Sequence, residues 1–300
     1  MIEKGNMNDE RALADIVKNM PRERMAVKIA AYLLLTLGGI TMILPFLWML
    51  STSLKSYSSV FIFNLADIRW IPDPLYLKNY IDVWKVVPFA KFYLNSIIVT
   101  SAVTLGQVAT SSLAAYAFAR LQFPGRDKIF FAYLATMMIP GSVTMIPVFA
   151  LMRTFGWIDS YKALIIPAIF TAYGTFLLRQ FFMTLPRDLE DAAKIDGCSL
   201  WGIFWTVTLP LSKTAIATLT IFVSLGNWVS FMWPLLVTNS IDKRTLPIGL
   251  AYFQELYQYA QPDWGLLMAG SLITMIPVII IFLFNQRFFI EGIKLTGMKG

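Results

Sequence analysis

Histidine is absent from the 300 residues, and cysteine occurs once, at Cys198. A disulfide within the chain is therefore excluded. The usual zinc sites and the Ser-His or Cys-His nucleophile pairs go with it, because they need those side chains. No G-x-x-x-x-G-K-[ST] and no G-x-G-x-x-G run occurs, so nothing here has the sequence of a nucleotide-phosphate cradle. Charge is scarce as well. Asp, Glu, Lys and Arg make up 14% of the chain, against about 25% in ordinary soluble domains. The 18 acidic residues fall in the loops and tails between long apolar runs. That placement removes the buried acids of an intramembrane aspartyl enzyme and the ionisable relay of an ion-coupled transporter.

What fills the chain is apolar: 57% of it is hydrophobic. Residues 29–54, 92–119, 129–152, 214–241 and 264–286 each run without Asp, Glu, Lys or Arg. A shorter run, 163–178, extends past Arg179 through Phe181, Phe182 and Met183. About 20 apolar residues cross a hydrocarbon core of ~30 Å, so six transmembrane helices are expected, in an all-α membrane protein. Length alone would allow two domains, but the loops are too short to hold a soluble one. Lys and Arg set the orientation. With the N-terminus inside, segments 1–28, 120–128, 179–213 and 286–300 carry 16 basic residues, and loops 52–91, 153–162 and 242–263 carry 9. Both termini are then cytosolic. The net charge of +7 follows from this topology, and nucleic acid is not needed as a partner. The first run is too long for a signal-peptide core and lacks a cleavage site, so it is expected to remain as an anchor. Leu13, Ile16, Val17 and Met20 have the spacing of a short amphipathic helix within residues 8–20. The domain reading is a cytosolic segment 1–28, a transmembrane body 29–286 and a cytosolic tail 287–300.

The charged stretch 186–210 stands apart from this background. Asp188 after Pro186-Arg187 is a candidate N-cap, with Asp191 three residues on as a capping-box variant. Glu190 and Asp191 place negative charge in the first turn, where the helix dipole favours it. Ala192, Ala193 and Lys194 are strong helix formers. Gly197 suits a left-handed stop. Ser199 then caps a second helix, Leu200 to Leu209, which Pro210 ends. Two short helices on a tight turn make a stiff elbow. A small-residue face at Ala192 and Ala193 allows it to seat in a partner's groove. An interfacial connector between two spans is the plainer reading of the same pattern.

Asp191-Ala-Ala-x-x-x-Gly197, nine residues, then Val207-Thr-Leu-Pro210 resembles a family signature. It is the E-A-A-x(3)-G-x(9)-I-x-L-P pattern of permease subunits of binding-protein-dependent ABC importers. Asp191 stands for Glu and Val207 for Ile. Pro45 to Lys55, Ala115 to Arg120, Gly174 to Arg179 and the closing Gly297-Met-Lys-Gly300 are similar to the carbohydrate-uptake, maltose-permease-like branch. The resemblance implies a second homologous permease forming a heterodimer, two cytosolic ATP-binding subunits and an extracytoplasmic solute-binding protein. It implies the cytoplasmic membrane of a prokaryote and its lipid as surroundings. No cofactor is implied in this chain; ATP and magnesium belong to the ATPase partners, and the chain is not an enzyme. The elbow becomes a coupling helix, with Glu190, Asp191, Ala192, Ala193, Asp196, Gly197, Leu209 and Pro210 at the ATPase contact. The tail from Phe288 reaches the same interface by the same analogy.

A sugar path needs hydrogen-bonding groups and aromatic faces without strong charge. Thr100, Thr104, Gln107 and Ser111 share one helical stripe; Thr220, Ser224 and Asn227 share another, followed by Trp228, Ser230 and Trp233. Small polar residues of this kind also serve helix packing. Asn227 is the foremost path candidate, with Trp228, Gln107, Ser224 and Trp233 behind it. Pro140-Gly141, Pro147 and Pro167 mark bends. The external loops 52–91 and 238–264 are rich in Trp and Tyr, which suits either binding-protein contact or interfacial anchoring. A phosphorylated polyol is the alternative solute for the same machine. An ion-gradient-driven transporter and a scaffold subunit are the other readings.

Overall fold

The computed structural model describes residues 22–56, 70–256 and 263–297, and these form helices and turns without strands. The amphipathic stretch expected at 8–20 lies outside the described residues, as do Tyr257, Tyr259 and Met298–Gly300. By contacts the chain divides into Met1–Leu77 and Lys78–Gly300.

In the first unit, α1 (Arg22–Ser53) carries the first apolar run. Val27, Tyr32, Leu34, Leu37, Met42 and Leu47 on it are all exposed. A helix apolar on every side belongs in lipid or against other membrane helices. It ends where Ser51 donates to the Trp70 carbonyl (2.6 Å) and Lys55 sits 4.5 Å from the centre of the Trp48 ring.

The second unit runs α2 (Asn79–Val86), α3 (Phe89–Arg120), α4 (Arg126–Ala135) and α5 (Gly141–Thr154). Next come α6 (Tyr161–Ile165), α7 (Ala172–Thr184), α8 (Asp188–Ile195), α9 (Leu200–Ile203) and α10 (Leu209–Leu211). The last four are α11 (Lys213–Trp228), α12 (Met232–Val237), α13 (Leu246–Leu256) and α14 (Trp264–Gly297). The central element is α3, packed on α7, α11 and α13, while α14 packs on α11 and α2. Close approach explains the choice of small residues at these crossings. A Cβ on Gly174 would collide with the Ser111 hydroxyl, and one on Gly106 with the Ile169 side chain. Three apolar clusters hold the unit together. One gathers Phe89, Phe92, Trp228, Phe253 and Leu266; one Tyr116, Leu178, Phe182, Phe204 and Leu219; one Val103, Met152, Leu164 and Val237.

Among the described residues, four helices are long and apolar enough to span a membrane unbroken: Val27–Ser53, Phe89–Arg120, Tyr161–Thr184 and Trp264–Phe284. The third run bends where Pro140-Gly141 marks it, whereas the fifth departs from the unbroken span expected for it. The third, 129–152, bends by 99° between Met138 and Gly141. Pro140 disfavours the helical region for the residue before it, and Ile139 is extended at φ −87°, ψ 117°. The fifth, expected as 214–241, stops at Trp228 and resumes as α12. Pro234, not among the prolines marked as bends, has no N–H for the Ser230 carbonyl and crowds it, so helix restarts with Leu235 N–H on the Phe231 carbonyl (3.0 Å). At its other end α11 meets α9–α10 at 78°.

Candidate functional site

The elbow forms where the sequence places it, with two corrections. Asp188 is not the N-cap: it is the first residue of α8, and Arg187 before it is already helical and gives no side-chain cap. Pro186 sets the entry instead, and the three acids at 188, 190 and 191 supply the favourable charge at the dipole. Pro210 does not stop the second arm, which runs on to Leu211. The backbone widens into a π turn over Phe204–Thr208, with Leu209 N–H on the Phe204 carbonyl. That widening relieves the clash a proline ring makes with the carbonyl four residues back. The turn itself is as expected. Gly197 is left-handed at φ +80°, and the Ser199 hydroxyl accepts from Gly202 N–H at 3.2 Å.

Two anchors fix the elbow to the bundle. Phe204 and Ile203 are buried, Phe204 beside Tyr116 at 5.2 Å between ring centres. Glu190 is the second anchor, and here the expectation is corrected: its side chain turns inward. It pairs with Arg120 at 2.9 Å, and the two side chains are 9% and 4% exposed. Arg120 also donates to the Leu185 carbonyl at 2.8 Å. Glu190 therefore holds α8 to the end of α3 and presents nothing to a partner. Leu209 is likewise half-buried against the cluster around Tyr116. The outward face holds Asp191, Ala192, Asp196, Gly197 and Pro210, with Ala193 half-buried. Asp191 bonds Lys194 at 2.8 Å, and that hydrogen bond holds its carboxyl below the ordinary carboxylate range. Ile195, Trp201 and Trp205 share this exposure, and sequence reasoning passed over them. The signal was present: Ile195 is an apolar residue on a charged helix, and the tryptophans are four apart on one face.

The path candidates separate once placed. Asn227 and Trp233 line a cavity of about 190 Å3 with Ser96, Thr100, Ser230 and Thr245, among Val99, Leu164, Ala168 and Pro234. Among the described residues, no charged side chain lines it. Asn227 donates to the Val223 carbonyl (2.8 Å), and Trp233 to the Ala163 carbonyl (3.0 Å). The other three lie in the packing. Gln107 donates to the Ala168 carbonyl at 2.5 Å, strapping α3 to the Pro167 turn. Ser224 is buried and donates to Thr220 in its own helix. Trp228 is buried and pins α11 to the Thr274 carbonyl at 3.0 Å. Ser96 lies one turn before Thr100 on the same stripe of α3, so its signal was present in the sequence, whereas Ser230 and Thr245 sit on non-helical backbone where periodicity gives none.

At the end of the bundle away from the elbow, Asn95 ties three segments. It donates to the Asp242 and Arg244 carbonyls (2.9 and 2.8 Å) and accepts from the Tyr161 hydroxyl (2.6 Å). Asp159, left-handed at φ +62°, accepts from Asn239 N–H, Ser240 N–H and the Ser240 hydroxyl. Burial by itself raises that carboxyl, but these three donors and nearby Lys243 outweigh it and hold it below the ordinary range.

Comparison with known proteins gives this geometry a family. The chain is 37% identical over 238 residues to the arabinooligosaccharides transport system permease protein AraQ of Halalkalibacterium halodurans, covering 79% of this chain and 84% of the relative. It is 32% identical over 280 residues to the sn-glycerol-3-phosphate transport system permease protein UgpE of Yersinia pestis, covering 91% and 98%. A crystal structure of a bacterial ABC transporter involved in the import of the acidic polysaccharide alginate superposes with a TM-score of 0.80 at 24% identity. It covers 90% of this chain and 99% of that one, and shows the same fold. Residues 23–294 match the family described as binding-protein-dependent transport system inner membrane component. The chain belongs to that family, as an inner-membrane component of a transport system that works with a binding protein.

Proposed function

We propose that this chain is a six-span permease subunit of an ATP-driven importer of a neutral sugar or oligosaccharide. In this reading both termini are cytosolic, residues 1–28 and 287–300 flank the membrane body 29–286, and the bent third and fifth segments each count as one crossing. A second, homologous permease completes the membrane part. Two cytosolic ATPase subunits bind ATP and magnesium, and this chain contributes no catalysis. The solute-binding protein delivers its ligand to the face around Asn95 and Asp159.

The observation that carries the reading is the elbow. It is an exposed, charged helix–turn–helix unit, fixed to the bundle by a buried ion pair and a buried phenylalanine, and its second arm leads into α11 through a 78° corner. Its outward face, Ala192, Ile195 and Gly197, has the small and apolar character that seats in a groove. When ATP draws the ATPases together, α8–α10 moves with them and carries α11. The cavity at the far end of α11 then changes its access.

The cavity supports the solute class. At about 190 Å3 it is smaller than the roughly 300–1,000 Å3 of small-molecule sites, so an oligosaccharide needs the companion permease as the other wall. Its hydroxyls, amide and indole fit a polyhydroxylated ligand, and it offers no cation for a phosphate. Between the arabinooligosaccharide and glycerol-phosphate relatives, the lining therefore favours the first kind of solute.

Gly197→Val tests the elbow. A Cβ there meets nothing within 4 Å, so the cost is backbone strain alone, ~1–2 kcal/mol for a left-handed L-residue and more for a β-branched one. The variant is expected to hydrolyse ATP without uptake, or to lose the ATPases. Gly197→Asn, which tolerates that conformation, should restore coupling. Normal uptake by Gly197→Val would refute the elbow as the transmission.

A further inference from the structure

Close to the elbow, four arginines converge on one small pocket. Arg120, Arg126, Arg179 and Arg187 line about 140 Å3 together with Phe118, Ala119, Met183 and Leu185. Two of them are deeply placed: the Arg120 side chain is 4% exposed and that of Arg179 13%. Arg120 is matched by Glu190. Arg179 is not matched in the same way. Its Nε donates to the Phe118 carbonyl (3.2 Å) and its guanidinium lies 4.1 Å from the centre of the Phe130 ring. The carboxylate near it is Asp127 at 3.8 Å, whose same oxygen is held by Arg126 at 3.0 Å. Arg126 also donates to the Leu121 carbonyl. Arg187 is exposed and makes no hydrogen bond or ion pair among the described residues; Asp191 lies near enough to feel its charge but is bonded to Lys194. The pocket thus sets four guanidiniums against the carboxylates of Glu190 and Asp127.

Buried charge is costly without a counter-charge, and guanidiniums that project into one space are suited to phosphate oxygens. We infer that this pocket binds a phosphate group, and that the group is the headgroup phosphate of an anionic membrane lipid. Depth and lining favour a lipid over a soluble anion. Arg179 lies five residues before the end of α7, about 7 Å along the axis, at the level where arginines meet headgroups. Met183, Phe123 and Phe131 are exposed near the pocket as apolar surface for the chains. Because Arg120 is shared by the pocket and the Glu190 strut, a bound phosphate stiffens the joint between elbow and bundle. The placement on the cytosolic leaflet rests on the proposed topology.

The test is native mass spectrometry of the full-length protein from phosphatidylcholine nanodiscs with and without phosphatidylglycerol, and with added inorganic phosphate. Wild type and Lys213→Gln, which removes an exposed cation outside the pocket, should retain phosphatidylglycerol. Arg187→Gln should lower retention about tenfold, and Arg179→Gln at least as much. Phosphate that binds wild type where phosphatidylglycerol does not would keep the anion site and refute the lipid as its source. Equal retention by wild type and both pocket variants overturns the site, and so does equal loss in Lys213→Gln. The leaflet is checked separately. Cys198, exposed on the elbow, should react with an impermeant maleimide in inside-out vesicles only. Reaction in right-side-out vesicles refutes the topology and leaves the lipid result standing on its own.

Discussion

Removing Glu190 should loosen the elbow by an amount the structure allows to be stated. The pair with Arg120 is buried on both sides, 9% and 4% exposed, at 2.9 Å. Deleting one member of such a pair typically costs about 3–5 kcal/mol, because the survivor is left as a buried charge. Arg120 keeps the Leu185 carbonyl, which places Glu190→Ala near the lower end. Replacing both partners with leucine removes the charge together with its partner, and substitutions of that kind are often neutral or stabilising. The strut is local, so the cost should appear as opening of α8 rather than of the whole bundle. Amide exchange over residues 188–197 measures that opening. Glu190→Ala should speed it roughly 100-fold or more, and Arg120→Leu/Glu190→Leu should return it to within about tenfold of wild type. Uptake should follow the same order while ATP hydrolysis persists in the single variant. If the double variant exchanges as fast as the single, the pair is not a strut. If neither exchanges faster, Glu190 does not hold the elbow at all.

Asn227→Ala should weaken uptake of the physiological solute through its apparent affinity while assembly is unchanged, since the side chain lines the cavity and its protein partner is only the Val223 carbonyl of its own helix; unaltered concentration dependence would return it to packing. Gln107→Leu should instead reduce thermal stability, because the Ala168 carbonyl loses its donor, and a change in solute selectivity without lost stability would contradict that assignment. Asp159 is depressed in the folded protein, so the hydrogen bonds it accepts contribute stability above the ordinary carboxylate pKa of about 3.9. That contribution is lost as pH falls through the depressed value, and amide exchange at Asn239 and Ser240 should rise there. Asp159→Ala should show the fast exchange at neutral pH and little further pH dependence; a retained acid transition would assign it to another group.

The apolar runs and the elbow were legible because each has a strong local cause. Long charge-free stretches can only be membrane or core, and Gly197 and Ser199 have backbone roles that few other residues fill. The breaks were legible only in part. Pro140 signalled the bend in the third segment, whereas Pro234 went unread inside the apolar run 214–241, where hydropathy masks a backbone defect. Glu190 was misassigned for a physical reason. Its place in the first turn accounts for its charge locally, and only tertiary contact with Arg120, 70 residues earlier in the chain, shows which way it faces. The surroundings of the path candidates were hidden in the same way. Periodicity puts Thr104, Gln107 and Ser111 on one stripe of α3, but it does not tell a stripe against α7 from a stripe against water. Asn227 and Trp233 line the cavity because each faces the gap left where α11 stops.

That gap and the elbow are linked by a single rigid piece. Helix α11 has 16 residues, about 24 Å of rise, with the 78° corner at one end and the break before α12 at the other. The corner is stiff: Ser212 is fully buried, and its N–H is shared by the Thr208 and Leu209 carbonyls. Near the other end Trp228 is held by the Thr274 carbonyl of α14, which makes a natural pivot. A tilt of roughly 10° about that point displaces the elbow by about 4 Å, on the rise of an α-helix. Beyond the pivot, Ser230 and Trp233 sit on non-helical backbone and a separate short helix, which can move relative to α11 without bending it. A continuous fifth span would carry the same tilt straight through the cavity wall. In the proposed mechanism the proline-induced break lets the motion end there, and a push delivered at the elbow should change which wall of the cavity is closed rather than distort the whole bundle.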